Sequence, residues 1–297
     1  MTGGFGVDSF FFSKKIETVT HCEINKELSG IATHNFKQLN AINIKSVSEN
    51  GVDFIKNSKE NFDIIYIDPS RRNDAKGKVF LLRDCEPNVP DDMSVLFEKT
   101  NTILIKNSPI LDITSAINEL NFVKEIHIIA INNDVKELLF LLEKDYKKEI
   151  QIKTINVTKS GSQEFNFQYQ TKPISTYSEP LEYLYEPNTA ILKSGGFHEI
   201  SNQLNIFKLH QHSHLYTSEK QIEFPGRVFK VIEITSYDKK KIAKLITNKK
   251  ANVTTRNFPK TVAQIRKELK IKDGGHDYLF FTTNFKDELI CIHSKKV

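Results

Sequence analysis

The segment FDIIYIDPS, residues 62–70, decides the fold of this chain. It is an almost uninterrupted apolar run that ends in Asp-Pro, the pattern of a strand buried in a parallel sheet. Apolar runs of the same kind recur on both sides of it, in IETVTHCEI (16–24), INIKSVS (42–48), TNTILIKNSP (100–109) and EIHIIAINND (125–134). Because amphipathic segments separate these runs, the sequence predicts βαβ units and a twisted, mostly parallel sheet with helices on both faces.

The segments between the runs carry helical patterns. They are KELSGIATHNFKQL (26–39), VDFIKNS (52–58), ITSAINEL (113–120) and VKELLFLLEKDY (135–146). Asp112 is placed to cap the third of these helices, and Asn133 or Asp134 the fourth. Beyond them, EIQIKTINV (149–157) and EFNFQYQ (164–170) flank the turn signal KSGSQ (159–163) and predict a β-hairpin.

Composition limits the class of protein. The chain has 297 residues, of which 39% are hydrophobic and 27% charged, as in an ordinary globular protein with room for more than one domain. No apolar run approaches the roughly 20 residues that span a bilayer, and no basic region precedes the first apolar residues. Three widely spaced cysteines argue against a disulfide framework and a zinc ribbon. We therefore expect a cytoplasmic protein.

Charge is distributed unevenly along the chain. Residues 222–297 contain 17 lysines and arginines against 8 acidic residues, whereas the preceding residues carry a slight acidic excess. Such asymmetry indicates a polyanion partner or a solubilising surface. The change in pattern near residue 150 and the proline-bearing segment TKPISTYSEP (171–180) predict three domains. Their expected ranges are 1–172 for the α/β domain, 173–221 for a small α+β module and 222–297 for a basic domain.

Residues that could bind a ligand stand where the predicted strands end. A glycine-rich turn, TGGFGVDS (2–9), opens the chain, and Glu23 follows the next strand, 17 residues after Gly6. In open α/β sheets, ligands bind outside the carboxyl ends of the strands, and an acid at this spacing can accept hydrogen bonds from ribose hydroxyls. Asn50 and Asp68 follow the later strands. Together these positions predict an adenosine-type cofactor lying across the sheet.

The segments TGGFGVDS, CEIN (22–25) and DIIYIDPSRR (63–72) resemble motifs of class I S-adenosylmethionine-dependent methyltransferases. Nearly the whole chain resembles the bacterial methyltransferases with a THUMP-like C-terminal domain, through EPNTAILKSGGF (186–197), SHLYTS (213–218), FPGRVF (224–229) and TTRNFP (254–259). The resemblance implies an α/β, Rossmann-like methyltransferase sheet followed by small α+β modules, ferredoxin-like and THUMP-like. It also implies that the first strand of the sheet, which precedes the glycine turn in that family, is missing ahead of Met1.

The resemblance assigns cofactor-binding roles at matching positions. The turn would wrap the methionine part of S-adenosylmethionine, and Asp8 would support the helix that follows the turn. Glu23 would hold the ribose, with Asn25 close by. The adenine would lie between Asn50 and Gly51. The turn residues are Thr2, Gly3, Gly4, Phe5 and Gly6. Where many relatives have an acid, this chain has Asn50, whose carbonyl oxygen can still accept a hydrogen bond from the adenine amine.

The resemblance also implies catalytic residues. Asp68 and Pro69 would lie beside the methyl-transfer point, and the set continues through Ser70, Arg71 and Arg72, whose guanidinium groups suit phosphate. No metal site is predicted, because His210, His212 and His214 have no obvious acidic or cysteine companions. Cys85 is expected to be a free, partly buried thiol, since its surroundings, RDCEP, lack the signature of a cysteine nucleophile.

THUMP modules accompany RNA-modifying enzymes, so the resemblance implies RNA as the partner. The predicted RNA-binding residues are Arg227, Arg256, Lys260, Arg266 and Lys267. Phe224, Phe229 and Phe258 lie among them and could stack on bases, although such residues more often belong to a core.

Three functions remain open from the sequence. The first is an S-adenosylmethionine-dependent RNA methyltransferase, acting on a base of tRNA or rRNA. The second is an RNA-binding protein with the same architecture and no activity, because the missing first strand would leave backbone groups of the sheet unpaired. The third is a small-molecule methyltransferase, for which the chain shows no dedicated substrate lid.

Overall fold

The structure is a computed structural model, and it describes residues 1–71, 81–171, 173–246 and 248–297, with only the backbone of Arg71. The chain divides into two compact units. The first comprises residues 1–127 and 136–152, and the second comprises residues 128–135 and 153–297. The domain boundaries drawn above at residues 172 and 221 stay predictions.

The first unit contains the strands and helices that the sequence predicts up to residue 131, together with a helix over residues 89–99 and a short strand pair at residues 70–71 and 85–86 that were not predicted. Its elements are α1 Val7–Ser13, β1 Val19–Cys22, α2 Lys26–Gln38, β2 Ile44–Val47, α3 Gly51–Asn57, β3 Ile65–Ile67, β4 Ser70–Arg71, β5 Cys85–Glu86, α4 Val89–Lys99, β6 Thr102–Asn107 and α5 Ile113–Glu119. The strands β7 Val123–Ile131 and β8 Asp134–Glu143 belong to it except for residues 128–135, and β9 Gln151–Thr158 belongs mostly to the second unit. Side-chain oxygens cap four of the helices, namely those of Asn25, Asn50, Asn88 and the predicted Asp112.

The parallel strands of this unit lie in two sheets. β1 pairs with β2 in one sheet, and β3 pairs with β6 in a second, six-stranded sheet, both in parallel register. Among the described residues, β1 pairs with no strand other than β2. A cavity of about 390 Å³ lies along the β1 and β3 edges, lined by residues such as Thr20, Cys22, Ile64 and Tyr66. The expectation of a Rossmann-like sheet is confirmed, and within the described residues its β1 and β3 strands belong to separate sheets.

The helix predicted over residues 135–146 is wrong, because this segment forms strand β8. Asn132 and Asn133 both have positive φ angles, 49° and 64°, and make a tight turn that returns the chain beside β7. Positive φ at both central residues is typical of a two-residue hairpin turn. In β8 the buried residues Leu138, Phe140 and Leu142 alternate with more exposed ones, and β8 pairs with β6 in antiparallel register. The sheet is consequently less parallel than predicted.

The second unit is an α+β structure built around one large sheet. Its elements after β9 are β10 Gly161–Gln168, β11 Tyr183–Pro187, α6 Thr189–Ser194, α7 Phe197–Gln203, β12 Phe207–Lys208, β13 Tyr216–Ser218, β14 Gly226–Ser236, α8 Lys239–Leu245, β15 Asn252–Arg256, α9 Val262–Leu269, β16 Asp277–Thr283 and β17 Leu289–Lys296. The strand order of the large sheet is β12-β13-β11-β14-β17-β16-β15. The predicted hairpin of β9 and β10 is confirmed.

Two apolar clusters stabilise this unit. One lies between the sheet and helices α8 and α9 and includes Ile242, Ile265 and Phe281. The other includes Leu184, Phe229 and Phe280. Burial of large apolar side chains is the main favourable contribution to folding, so these clusters position the loops that carry the basic residues.

Candidate functional site

The glycine turn at the start of the first unit is held against the ends of β1 and β3. The Gly3 nitrogen donates to the Cys22 oxygen over 2.8 Å, and the Met1 ammonium donates to the Tyr66 oxygen over 2.8 Å. Gly3 must be glycine, because a Cβ built there would stand 2.3 Å from Cε1 of His21. A single stretch of backbone thus contacts both strands. Burial of the Met1 ammonium lowers its pKa.

Glu23, at the end of β1, accepts hydrogen bonds from both the glycine turn and the residue that caps helix α2. Its Oε2 accepts a hydrogen bond from the Gly4 nitrogen at 2.7 Å, and its Oε1 accepts one from the Asn25 nitrogen at 2.9 Å. The residue is only 9% exposed. A carboxylate offers about four acceptor positions, so these two bonds leave capacity for hydroxyl groups of a ligand.

Asn50 and Gly51 lie at the start of α3, beside the turn. The Asn50 side-chain oxygen accepts from the Val52 nitrogen at 2.8 Å and from the Asp53 nitrogen at 3.2 Å, so it caps the helix. The two capping hydrogen bonds therefore occupy the same Asn50 oxygen that was expected to accept a hydrogen bond from the adenine amine. Gly51 packs against Met1, whose Cβ would lie 2.8 Å from a Cβ built on the glycine.

A cavity of about 370 Å³ joins several of the predicted site residues. Its lining includes residues from the turn, from the ends of β1, β2 and β3, and from the β4–β5 pair: Met1, Thr2, Gly4, Glu23, Ile24, Asn50, Gly51, Val52, Asp68, Ser70, Glu86 and Pro87. Small-molecule sites are typically clefts of roughly 300–1,000 Å³ with a few convergent polar groups, and this cavity has that character. Predicted residues outside this lining are Gly3, Phe5, Gly6, Asp8, Asn25 and Pro69.

Asp68 is bound by Lys106, the first residue of the segment KNSP (106–109). This segment follows a predicted strand, and its position predicts that it lines the acceptor side of the site, without a definite role for the lysine. The Lys106 Nζ, at the end of β6, lies 2.9 Å from Oδ2 of Asp68 and 2.7 Å from Oδ2 of Asp8. The Tyr66 hydroxyl also donates to Oδ2 of Asp8, at 2.7 Å. The Thr2 hydroxyl oxygen accepts from the Asp68 nitrogen at 2.8 Å. These contacts fix the Asp68 carboxylate and connect it to both the turn and α1.

The pKa values of this cluster are shifted in the directions expected for ion pairing. Partial burial opposes ionisation of Lys106, but its hydrogen bonds with Asp8 and Asp68 raise its pKa. Burial likewise acts against ionisation of Asp8, yet the hydrogen bonds from Lys106 and Tyr66 lower its pKa. Lys106 is therefore a permanent cation in this position, and it compensates two carboxylates.

Two predicted catalytic residues, Arg71 and Arg72, cannot be placed in the site from the described residues. Arg72 is outside the described residues, and the side chain of Arg71 is not described either. The backbone of Ser70 pairs with Glu86, which brings the segment after β3 beside β5. Cys85, on β5, is fully buried, more deeply than the partly buried thiol that the sequence predicts, and none of the three cysteines forms a disulfide.

Asn107, the residue after Lys106, belongs to the same segment, KNSP, and has no individual role predicted from the sequence. It is 3% exposed, and within the described ranges neither its side-chain oxygen nor its nitrogen has a hydrogen-bond partner. Its signal in the sequence was the polar pair Lys-Asn at the end of an apolar run, the same pattern that identified Asp68.

Four of the five predicted RNA-binding residues in the second unit are paired with carboxylates. Arg227 and Arg256 both bind the buried Glu186, the latter at 2.8 Å. Lys260 lies 2.7 Å from Glu268, and Arg266 pairs with Asp273. Lys267 is exposed. Phe224 and Phe229 are buried, and Phe258 packs against the core beneath α8 and α9, so these rings have the core role that the sequence favours over base stacking.

Histidines 210, 212 and 214 form a turn between β12 and β13 rather than part of a strand. His210 contacts Asn257 and Asp287 at 2.9 and 3.1 Å. Within the described part of the chain, no three His, Cys, Asp or Glu side chains are grouped so that they could hold a metal ion. Among the helices of the same described ranges, none has the length and apolar composition needed to cross a lipid bilayer.

Comparison with known proteins agrees with this architecture. Residues 183–225 match a family model described as a ferredoxin-like domain, and residues 226–296 match one described as THUMP domain-like. The fold and the cavity thus define a Rossmann-like methyltransferase architecture joined to these two domains. The crystal structure of a "putative methyltransferase" from Porphyromonas gingivalis W83 is 30% identical, with a TM-score of 0.88, over 99% of this chain and 75% of that chain. The chain belongs to the same family, the class I methyltransferase family with a THUMP-like C-terminal domain.

More distant structures resemble only part of the chain. An rRNA methylase from Streptococcus thermophilus is 14% identical over 48% of this chain and 81% of its own, with a TM-score of 0.34. A SAM-dependent methyltransferase from Agrobacterium tumefaciens is 16% identical over 48% of this chain and 54% of its own, with a TM-score of 0.32. Neither similarity is close enough to support an argument. The curated proteins contain no match to this chain.

Proposed function

We propose that this chain is an S-adenosylmethionine-dependent methyltransferase that acts on RNA. The observation that carries this proposal is the cavity in the first unit, where the glycine turn, Glu23, Asn50 and Asp68 converge at the ends of three strands. This is the edge at which open α/β sheets bind their ligands. The residue types match the parts of an adenosine-type cofactor.

The residues present fit such a cofactor. A glycine without a neighbouring side chain lets a ligand approach the backbone closely. Gly4, which has a φ angle of 55°, is such a residue, because no atom lies within 4 Å of a Cβ built on it. Glu23 is fixed by two backbone donors with its remaining acceptor capacity toward the cavity. The apolar residues Ile24 and Val52 also line the cavity and can contact an adenine ring.

S-adenosylmethionine, when bound, supplies a methyl group on a sulfonium centre with a good leaving group. The protein's contribution is then alignment of the acceptor and exclusion of water. Asp68 can accept a hydrogen bond from an acceptor N–H through Oδ1, because Lys106 engages Oδ2. Lys106 keeps that carboxylate in place by pairing with Asp8 as well.

RNA is proposed as the acceptor from two properties of the C-terminal part. The THUMP-like domain at 226–296 belongs to a type of module that accompanies RNA-modifying enzymes. The strong basic excess of the same region is suited to a phosphate backbone.

Titration calorimetry with S-adenosylhomocysteine tests the cofactor assignment. We expect binding by the wild type and at least tenfold weaker binding by E23Q, because hydrogen bonds to a charged group contribute about 1.5–3 kcal/mol. The matched control is E27Q, which removes the same charge from an exposed position in the first turn of α2. Equal affinity of E23Q and E27Q would contradict the role of Glu23, and no heat with the wild type would contradict cofactor binding.

One feature favours a second candidate, RNA binding without methyl transfer. β1 and β3 carry Glu23 and Asp68 at their ends but belong to separate sheets, with a cavity of about 390 Å³ along their facing edges. Backbone groups on such edges need hydrogen-bond partners to hold the site rigid. Mass spectrometry of nucleosides from wild-type and deletion cells separates the two candidates. Loss of one methylated nucleoside supports transfer, whereas RNA binding with unchanged nucleosides supports the second candidate.

A further inference from the structure

The residues expected from the sequence to bind RNA are not the most available cations of the second unit. Arg227 and Arg256 share the carboxylate of Glu186, whose side chain is only 4% exposed. Lys260 is held by Glu268. A cation that is already paired gains less from a phosphate, because the existing pair must be broken first.

A different set of lysines is exposed and has no ion pair among the described residues. Lys240 and Lys244 lie four positions apart on α8 and therefore on one side of that helix. The others follow α8 and α9: Lys249, Lys250, Lys270 and Lys272. We call these six residues the lysine surface. The acid closest in sequence to the α8 pair is Asp238, which caps α8 by accepting from the Lys240 and Lys241 nitrogens.

The backbone brings the two loops of the lysine surface together. The Lys272 nitrogen donates to the Lys249 oxygen over 2.8 Å, and the Ala251 nitrogen donates to the Lys272 oxygen over 3.0 Å. Lys250 lies against the glycine turn after Lys272, with its Cε 3.2 Å from a Cβ built on Gly274. Beneath them, Ile246, Ala251 and Ile271 belong to one apolar cluster. The lysines of the two loops are therefore neighbours on a rigid base.

Within α8, α9 and the described residues of the loops that follow them there is no phenylalanine, tyrosine or tryptophan, and the aromatic ring present is that of His276, which is exposed. The phenylalanines of this region, such as Phe229, Phe280 and Phe281, are buried in the core. Among the described residues of 226–296, the exposed large hydrophobic side chains are Ile232, Ile234 and Phe285, which lie outside α8, α9 and their following loops. Single-stranded RNA is usually bound by stacking its bases on aromatic side chains, whereas duplex RNA is recognised by its shape and phosphates.

We propose that the lysine surface binds the phosphate backbone of duplex RNA, and this inference rests on the proposed function, in which RNA is the substrate. Lysine ammonium groups act as compact charges toward phosphates and need no particular base. Arg227 and Arg256 are in turn assigned to the stability of the second unit. The substrate region is accordingly a helical stem rather than an unpaired loop.

The experiment measures binding of the full chain to a 20-base-pair RNA duplex across a series of salt concentrations. The test variant is K250Q/K272Q, and the control is K147Q/K148Q, which removes two exposed lysines from the first unit. We expect the test variant to bind about tenfold more weakly at moderate salt and to lose about 1–2 units from the slope of log K against log salt, since each phosphate contact contributes about 0.7–0.9. The control should match the wild type, and circular dichroism should show that all three are folded.

Each outcome distinguishes the claims. Equal slopes for K250Q/K272Q and K147Q/K148Q, with tight wild-type binding, would overturn the lysine surface and leave the RNA substrate standing. Tighter wild-type binding to single-stranded oligouridine than to the duplex would overturn the assignment to duplex RNA. Absence of wild-type binding to both RNAs would overturn the RNA substrate itself, while the calorimetric test of the cofactor site would remain independent.

Discussion

Replacing Glu186 by glutamine tests whether Arg227 and Arg256 stabilise the second unit. The Glu186 side chain is 4% exposed and accepts hydrogen bonds from both arginines, including one of 2.7 Å from Nε of Arg227. Glutamine keeps the size of the side chain but removes the charge, so two guanidinium groups lose their shared counter-ion. Breaking a buried ion pair typically costs about 3–5 kcal/mol.

The expected cost here is somewhat smaller, because the arginines can recover some hydration. Their side chains are 40% and 35% exposed, so we expect E186Q to lower the free energy of unfolding by about 2–4 kcal/mol. For units of this size, that corresponds to a fall in Tm of roughly 5–12 °C. Circular dichroism melts measure the shift, and the tyrosines supply fluorescence, since the chain has no tryptophan.

The control is E182Q. Glu182 pairs with Lys230 at 3.3 Å, but both side chains are more than half exposed, so the change should be below about 1 kcal/mol. A Tm of E186Q within about a degree of E182Q would refute the structural role of the arginines. Tighter binding of duplex RNA by a fully stable E186Q would show instead that Glu186 restrains two RNA-binding residues.

The remaining predictions concern the glycine turn, the Lys106 cluster and one histidine. G3A should abolish S-adenosylhomocysteine binding in calorimetry, because the added Cβ would collide with the His21 ring. G30A, at a position with open space around it in α2, should instead raise the free energy of unfolding by about 0.5–1 kcal/mol in thermal melts. Retained binding by G3A would contradict the turn geometry. K106M should lower the rate of methyl transfer to RNA by about 10–100-fold with little change in cofactor affinity, because Asp68 would lose the lysine that holds its carboxylate in place. An unchanged rate would rule out this positioning role of Lys106. Burial, followed by the nearby charge of Lys208, lowers the pKa of His214 from 6.5 to about 4, so the folded state holds the ring neutral and stability should fall as pH drops from about 6.5 to about 4. H214N, which suits the positive φ of 52° there, should flatten the dependence of Tm on pH across that window, and an unaltered profile would exclude His214 as its source.

Local signals predicted most of the first unit. Glu23 and Asp68 follow apolar runs, and the structure places both at strand ends around one cavity. The predicted cap at Asp112 also forms, because a helix start depends on only a few neighbouring residues. Residues 135–146 contradict their local preference. Leucine, lysine and glutamate favour helices, but the Asn132–Asn133 turn and burial of alternate residues against β6 outweigh that propensity.

The sequence by itself determined the positions of the apolar strands of the first unit up to residue 131, the glycine turn and the basic character of the C-terminal region, because these depend on periodicity, composition and local backbone preference. Only the tertiary structure decided which charges are available. Lys106 reaches Asp8 across 98 positions, and Arg256 reaches Glu186 across 70. Ion pairing depends on distance and burial, and neither is encoded in the spacing of residues along the chain. The partly exposed arginines are therefore engaged by the buried Glu186, whereas the lysines without an ion pair among the described residues are available at the surface.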